Sequence, residues 1–225
     1  MNLNKHIEFF NPMNIIKKNI EVNIIGIGAV GSFIALQLAK LGVPRLTLWD
    51  FDIVDDHNIT NQVYSFNDIG KKKTDALEEH LKAQNPEIEI IKREKWNPGD
   101  AVSGVIFLEV DKMDVRQAFV EDNEYNPMIQ AVIDARIGLA TGEVHFVDWA
   151  DADAVEHFIE KVNSFDDAHA SVKVSACGTT LSVSPSVLVT AAEAVATFIK
   201  FINGDKCYKY TTFDSFLGKM ASLDI

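Results

Sequence analysis

Three kinds of residue in this chain are placed to do chemistry on phosphate: glycines, lysines and strand-end carboxylates. Gly26-Ile27-Gly28-Ala29-Val30-Gly31 is a G-x-G-x-x-G that closes a short apolar run and opens an apolar, helix-like run from Ser32 to Leu41. A strand, a tight glycine turn and a helix in that order form the phosphate-cradling start of a nucleotide-binding βαβ unit. Gly26 allows the turn. Gly28 lets a phosphate approach the backbone with no Cβ in the way, and Gly31 lets the helix pack close to the strand. The free N–H groups at the helix start then face the phosphates. Asp50 stands 19 positions after Gly31, where a ribose-binding carboxylate is expected. Lys71-Lys72-Lys73 opens a second helical pattern. Cations are disfavoured there by the helix dipole, so the run is either a solvated charge cluster or the seat of a bound polyanion.

These residues need a scaffold, and the hydrophobic pattern supplies one. Strands are expected at about 22–27, at 45–49 ending on Asp50, at about 88–93, at 104–110 ending on Asp111, and at 129–133 ending on Asp134. Helices are expected to Leu41, stopped by Gly42 and Pro44, then over about 72–83, 115–121, 151–162 and 186–201. Carboxylates thus close strands two, four and five, and in an open parallel sheet those ends form the ligand crevice. Each acid alone reads equally as a helix cap or surface residue. Residues 51–70 show no helical period, and a long irregular loop in a compact domain is usually functional. Residues 143–149 alternate polar and apolar, as in a half-buried and antiparallel strand. The expected fold is α/β, a Rossmann-like, mainly parallel sheet flanked by helices with antiparallel additions in the C-terminal third. One domain fills 1–225, with an N-terminal arm at 1–21 and a C-terminal tail at 204–225 that holds a strand near 207–213.

Composition narrows the function classes. Lys and Arg number 21 against 33 Asp and Glu, a net charge of −12, which argues against nucleic acid as the main partner. No run of 18 apolar residues goes uninterrupted, so no membrane span is expected. The first residues lack the apolar core of a signal peptide, and the two cysteines, Cys177 and Cys207, suit a reducing compartment. The expectation is a cytoplasmic protein with no structural zinc, since a four-cysteine site is impossible and the histidines lack metal-binding spacing.

Further along, the residues match a known pattern. The chain resembles the ThiF/MoeB/HesA family, bacterial relatives of ubiquitin-activating enzymes, over roughly 20–203, and within it a compact phage- or plasmid-type branch. The resemblance rests on Gly26–Ser32, on Asp50-Phe51-Asp52-Ile53-Val54 followed by Asn58-Ile59-Thr60-Asn61-Gln62, on Gly70-Lys71-Lys72-Lys73, on Asp111-Lys112-Met113-Asp114-Val115-Arg116, and on Asp134-Ala135-Arg136-Ile137-Gly138. It implies binding of ATP and Mg²⁺ and adenylylation of the C-terminal carboxylate of a ubiquitin-like or sulfur-carrier protein. It also implies a homodimer, with the apolar 186–201 helix needing cover. By the resemblance, Asp50 binds ribose, and Asp52, Asn58, Asn61 and Gln62 belong to the nucleotide-lining segment. Lys73 contacts phosphate and Asp111 holds Mg²⁺.

The chain departs from the family at several positions. Asn61 stands where the family writes arginine, Lys112 stands where it writes asparagine, and no arginine precedes Arg45. Arg136 or Lys112 is placed to supply the lost charge, while a salt bridge to a crevice acid is the other reading of Arg136. Cys177 lies where some relatives carry a persulfide or thioester cysteine, with a structural small residue by a turn as the other reading. Two other functions stay open: a degenerate member that binds nucleotide or partner without turnover, and a NAD-dependent oxidoreductase, the usual owner of G-x-G-x-x-G with an acid.

Overall fold

The computed structural model describes residues 3, 5, 7–164 and 182–224. One eight-stranded sheet runs through the chain. Its strands are β1 (Val22–Ile25), β2 (Arg45–Trp49), β3 (Glu89–Arg93), β4 (Gly104–Leu108), β5 (Ile129–Ile137), β6 (Thr141–Asp148), β7 (Tyr210–Asp214) and β8 (Lys219–Leu223), in the order β3-β2-β1-β4-β5-β6-β7-β8. The first five in sequence are parallel and the last three pair antiparallel. β1 and β4 are buried at every position, as strands covered on both faces must be.

The helices are α1 (Met13–Lys17), α2 (Ala29–Lys40), α3 (Lys73–Gln84), α4 (Met113–Asn123), α5 (Ala152–Asn163) and α6 (Ser184–Asn203). Side chains of α2, α3 and α6 share one apolar core with one face of the sheet, around Ile24, Ile34, Leu77, Phe107 and Phe198. Residues of α4 and α5 share a second core with the other face, around Ile106, Leu108, Phe119 and Phe158. The Asp151 carboxylate caps α5 by accepting the Ala154 N–H at 3.1 Å, and Gly204, at φ 78°, closes α6 in the left-handed conformation.

The chain winds outward from β1 to β2 and β3, then returns to place β4 on the other side of β1. This reversal makes the carboxyl ends of β1 and β4 a topological switch point, where open α/β sheets bind ligands.

The structure bears on four expectations. The N-terminal arm packs onto the domain: Phe10, Ile15 and Ile20 are buried, and Phe10 meets Phe198 with ring centroids 6.2 Å apart. The 204–225 tail supplies the β7–β8 hairpin and so belongs to the sheet. α6 is long and apolar enough to match a membrane span, yet it packs on α2, β5 and β6. The domain covers half of its apolar stretch and leaves Leu188 and Val189 exposed. Finally, β5 runs on to Ile137, so Asp134 lies inside a strand instead of ending one.

Candidate nucleotide-binding site

The glycine turn is held by its neighbours from every side. The Gly26 N–H donates to the Trp49 carbonyl at 2.9 Å, and the Tyr64 hydroxyl donates to the Ile27 carbonyl at 2.8 Å. Gly26 sits at φ +92°, and a Cβ there would stand 2.7 Å from the Glu109 carbonyl oxygen. A Cβ on Gly31 would stand 2.0 Å from the Gly26 carbonyl oxygen. Both positions therefore exclude any side chain on steric grounds. Gly28 differs: no atom lies within 4 Å of its ideal Cβ, and its φ of −77° lies outside the left-handed range. The space over Gly28 is open, and Ala29, Val30 and Gly31 form the first turn of α2, whose N-terminal N–H groups face it.

Asp50 has a structural task beside its expected one. Its Oδ2 accepts the Ile27 N–H at 3.0 Å and its Oδ1 accepts the Asp52 N–H at 2.8 Å. Burial raises its pKa above the ordinary aspartate value, against the lowering pull of Lys73 and these two N–H groups. From Asp52 the chain of contacts continues. Asp52 Oδ2 accepts from Lys73 Nζ at 2.7 Å, and the Asp52 carbonyl accepts the Lys73 N–H at 2.9 Å. Lys73 is buried while Asp52 is half exposed, so the ammonium sits under the rim of the crevice.

The other two lysines of the run have different partners. Lys71 pairs with Asp68 and Glu79, at 3.3 and 2.6 Å, and Lys72 with Glu94 at 2.7 Å. Acids of the chain itself thus offset the charge at the start of α3. Of the three lysines, only Lys73 pairs with a residue of the Asp50–Asp52 segment.

The 51–70 segment carries two short 3₁₀ turns at Asp56–Thr60 and Phe66–Asp68. Asn58 is buried and caps the first, its Oδ1 accepting the Asp55 N–H at 2.8 Å. Asn61 donates from Nδ2 to Ser182 Oγ at 2.8 Å, and Gln62 keeps a buried Oε1 without a hydrogen-bond partner. The Val63 N–H donates to Ser32 Oγ at 3.2 Å, which ties this segment to the first turn of α2.

On the β4 flank, the Glu109 N–H donates to the Ile25 carbonyl at 2.8 Å, so the chain leaves β4 beside the glycine turn. Asp111 follows, exposed, and makes no hydrogen bond or ion pair among the described residues. Asp134 and Arg136 are not crevice groups of this kind. Asp134 is fully buried, taking Arg116 Nε at 2.9 Å on Oδ1 and Arg136 NH2 at 2.6 Å on Oδ2. Arg136 NH1 also lies 3.9 Å from Glu143. The guanidinium expected to stand in for a lost arginine is thus committed to a buried pair, which is the salt-bridge reading of that residue. Cys177 lies outside the described residues.

Glu109 was not singled out by its sequence position. Its carboxylate oxygens are buried without a partner in hydrogen-bond geometry, and burial, with Asp134 nearby, pushes its pKa well above the usual carboxylate range. An acid two residues before Asp111 at the end of an apolar strand is the one signal that marked it.

Among curated proteins, tRNA threonylcarbamoyladenosine dehydratase of Bacillus subtilis is 40% identical over 75 residues, 33% of this chain and 30% of that protein. Ubiquitin-like modifier-activating enzyme 5 of Dictyostelium discoideum is 35% identical over 72 residues, covering 32% and 19%. The probable adenylyltransferase/sulfurtransferase MoeZ of Mycobacterium tuberculosis is 36% identical over 87 residues, covering 38% and 22%. The matched segment is thus under a third of each relative. Among solved structures, E. coli MccB with ATP superposes with a TM-score of 0.70 at 22% identity, over 97% of this chain and 69% of that one. E. coli MccB with SeMet MccA gives 0.71 at 22%, over 100% and 72%. That likeness establishes the shared fold. The model of the ThiF family matches residues 13–225, and this chain belongs to the ThiF family.

Proposed function

We propose that this protein binds ATP with Mg²⁺ at the β1/β4 switch point and adenylylates the C-terminal carboxylate of a ubiquitin-like or sulfur-carrier protein. The observation that carries the reading is the open space over Gly28, flanked by buried Lys73 on the β2 side and by exposed, unpaired Asp111 on the β4 side. A hydride-transfer site needs neither flank. The names of the relatives point the same way: one activates a ubiquitin-like modifier, one is a probable adenylyltransferase, and MccB has been crystallised with ATP.

In the proposed reaction a carboxylate oxygen of the carrier attacks the α-phosphorus. The bond to the bridging oxygen breaks, and pyrophosphate departs with the electron pair. A carboxylate is a weak nucleophile, so positioning and charge neutralisation must carry the rate. The glycine turn and the start of α2 hold the phosphates, Asp50 orients the ribose, and Lys73 offsets phosphate charge. Asp111 suits a hard cation, being a free carboxylate oxygen donor. Bound there, Mg²⁺ would neutralise phosphate charge.

Exchange of labelled pyrophosphate into ATP, with and without candidate carriers, tests the reading. Carrier-dependent exchange is expected. Tight NAD binding with no ATP–Mg binding would favour the oxidoreductase. ATP–Mg binding without exchange for any carrier would favour the degenerate binder. A tRNA substrate, as the name of the Bacillus subtilis relative would suggest, fits a chain of net charge −12 less well.

A further inference from the structure

Resting on the ATP reading above, we propose that Lys112 is a catalytic residue of this site, holding the pyrophosphate end of ATP in place of the arginines this chain lacks. Of the other cations around the sheet's carboxyl edge, Arg93 and Lys95, at the end of edge strand β3, lie over the rings of Trp49 and Phe51, and those nearer the switch point are matched by acids. Lys73 pairs with Asp52, Lys72 with Glu94, and Lys71 with Asp68 and Glu79. Arg116 and Arg136 share Asp134. Asn61, at the family's arginine position, carries no charge and bonds Ser182. Lys112 is exposed, and its ammonium makes no hydrogen bond or ion pair among the described residues, while its carbonyl accepts the Arg116 N–H at 3.4 Å.

Its place in the fold gives that charge a purpose. β4 lies beside β1, and the chain leaving β4 passes the glycine turn at Glu109, so Lys112 follows three residues later on the flank opposite Lys73. Lys112 is also the N-cap of α4, with extended backbone at φ −107°, ψ 131°; its side chain makes no capping hydrogen bond, and in the first turn the Asp114 carboxylate accepts the Val115 N–H at 2.8 Å. Asp50 fixes the ribose on the β2 flank, which leaves the β4 flank, with Asp111, to the far phosphates. When the bond from the α-phosphorus to the bridging oxygen breaks, both electrons leave with pyrophosphate, and negative charge grows on that group. An ammonium placed there stabilises the transition state more than the ground state.

Calorimetric titration of wild type, Lys112→Ala, Lys112→Gln and Lys112→Arg with ATP–Mg, inorganic pyrophosphate and AMP tests this. Lys112→Ala and Lys112→Gln are expected to weaken ATP–Mg and pyrophosphate by about 10- to 100-fold, the range of a charged hydrogen bond, and to leave AMP unchanged. Lys112→Arg is expected to restore most of the loss. The exposed position makes misfolding no confounder, and unchanged melting of the variants checks it. ATP–Mg and pyrophosphate binding unchanged in both neutral variants would overturn the proposal while leaving the ATP reading intact. Equal loss of AMP would overturn it too, since the effect would not lie at the far phosphates. Failure of the wild type to bind ATP–Mg would overturn the nucleotide reading itself, and this proposal with it.

Discussion

Lys73 Nζ and Asp52 Oδ2 stand 2.7 Å apart, with the lysine buried and the aspartate half exposed. The ammonium is thus held at the crevice before any nucleotide arrives, by a carboxylate that solvent already reaches. Lys73→Ala is expected to weaken ATP–Mg by about 1.5–3 kcal/mol, the worth of a charged hydrogen bond, and to leave adenosine binding unchanged. Titration of both ligands measures the split. Equal losses for ATP and adenosine would place Lys73 away from the phosphates.

The glycine turn predicts two opposite failures. Gly31→Ala would put a Cβ 2.0 Å from the Gly26 carbonyl oxygen, inside packed backbone, so loss of a cooperative thermal transition is expected. Gly28→Ala meets no atom within 4 Å and has an ordinary φ of −77°. It should fold with a melting temperature near wild type and lose ATP binding, because its methyl group occupies the phosphate's approach. A Gly28→Ala protein that binds ATP normally would remove the phosphate from this turn.

Asp50 is expected to serve both loop and ligand. Asp50→Ala removes the acceptor for two N–H groups, at 3.0 and 2.8 Å, and should cost about 1.5–3 kcal/mol of stability. The wild type should prefer ATP over 2′-deoxyATP, and that preference should vanish in Asp50→Ala. Undiminished discrimination in the variant would assign the ribose to another residue.

Much of this was legible in the residues, for physical reasons that also explain what was not. A glycine turn between an apolar strand and an apolar helix has few three-dimensional meanings, so Gly26–Gly31, Asp50 and the parallel order of β1 to β5 could be anticipated. Asp134 misled because an acid after an apolar run looks like a strand end. Asp134 and Arg136 are two apart, so in a continuing strand they share a face and can pair. Arg116, which completes that buried pair, comes from α4 and lies 18 residues earlier. The acids that offset Lys71 and Lys72 lie 3, 8 and 22 residues away, and only the fold brings them together. The arm at 1–21 looked polar on average. Its three buried apolar residues, Phe10, Ile15 and Ile20, are spaced five apart and match neither a helix nor a strand period.

The Asp134 pair makes stability depend on pH in a direction that can be worked out. Burial alone would raise the pKa of this carboxyl, but Arg116 and Arg136 outweigh it and hold it down at about 2, below the ordinary 3.8. The unfolded chain therefore binds more protons than the native state between those values, and stability must rise with pH across them. The contribution is fully present above about pH 5, fades as pH falls through 4, and is gone below 2, a total of about 2 kcal/mol. Asp134→Asn keeps the shape but leaves Arg116 buried without its carboxylate, while Arg136 retains Glu143 at 3.9 Å. Breaking a buried pair from one side costs about 3–5 kcal/mol, so the variant should be that much less stable at pH 7. By pH 3 about half of that contribution is lost, because the unfolded chain already binds the proton while the native carboxylate is still largely ionised, and the gap between the two proteins should have narrowed by about 1 kcal/mol. Urea unfolding at pH 7, 5 and 3 measures the gap at each point. A gap that stays constant from pH 7 to pH 3 would mean that Asp134 is not ionised between its two arginines.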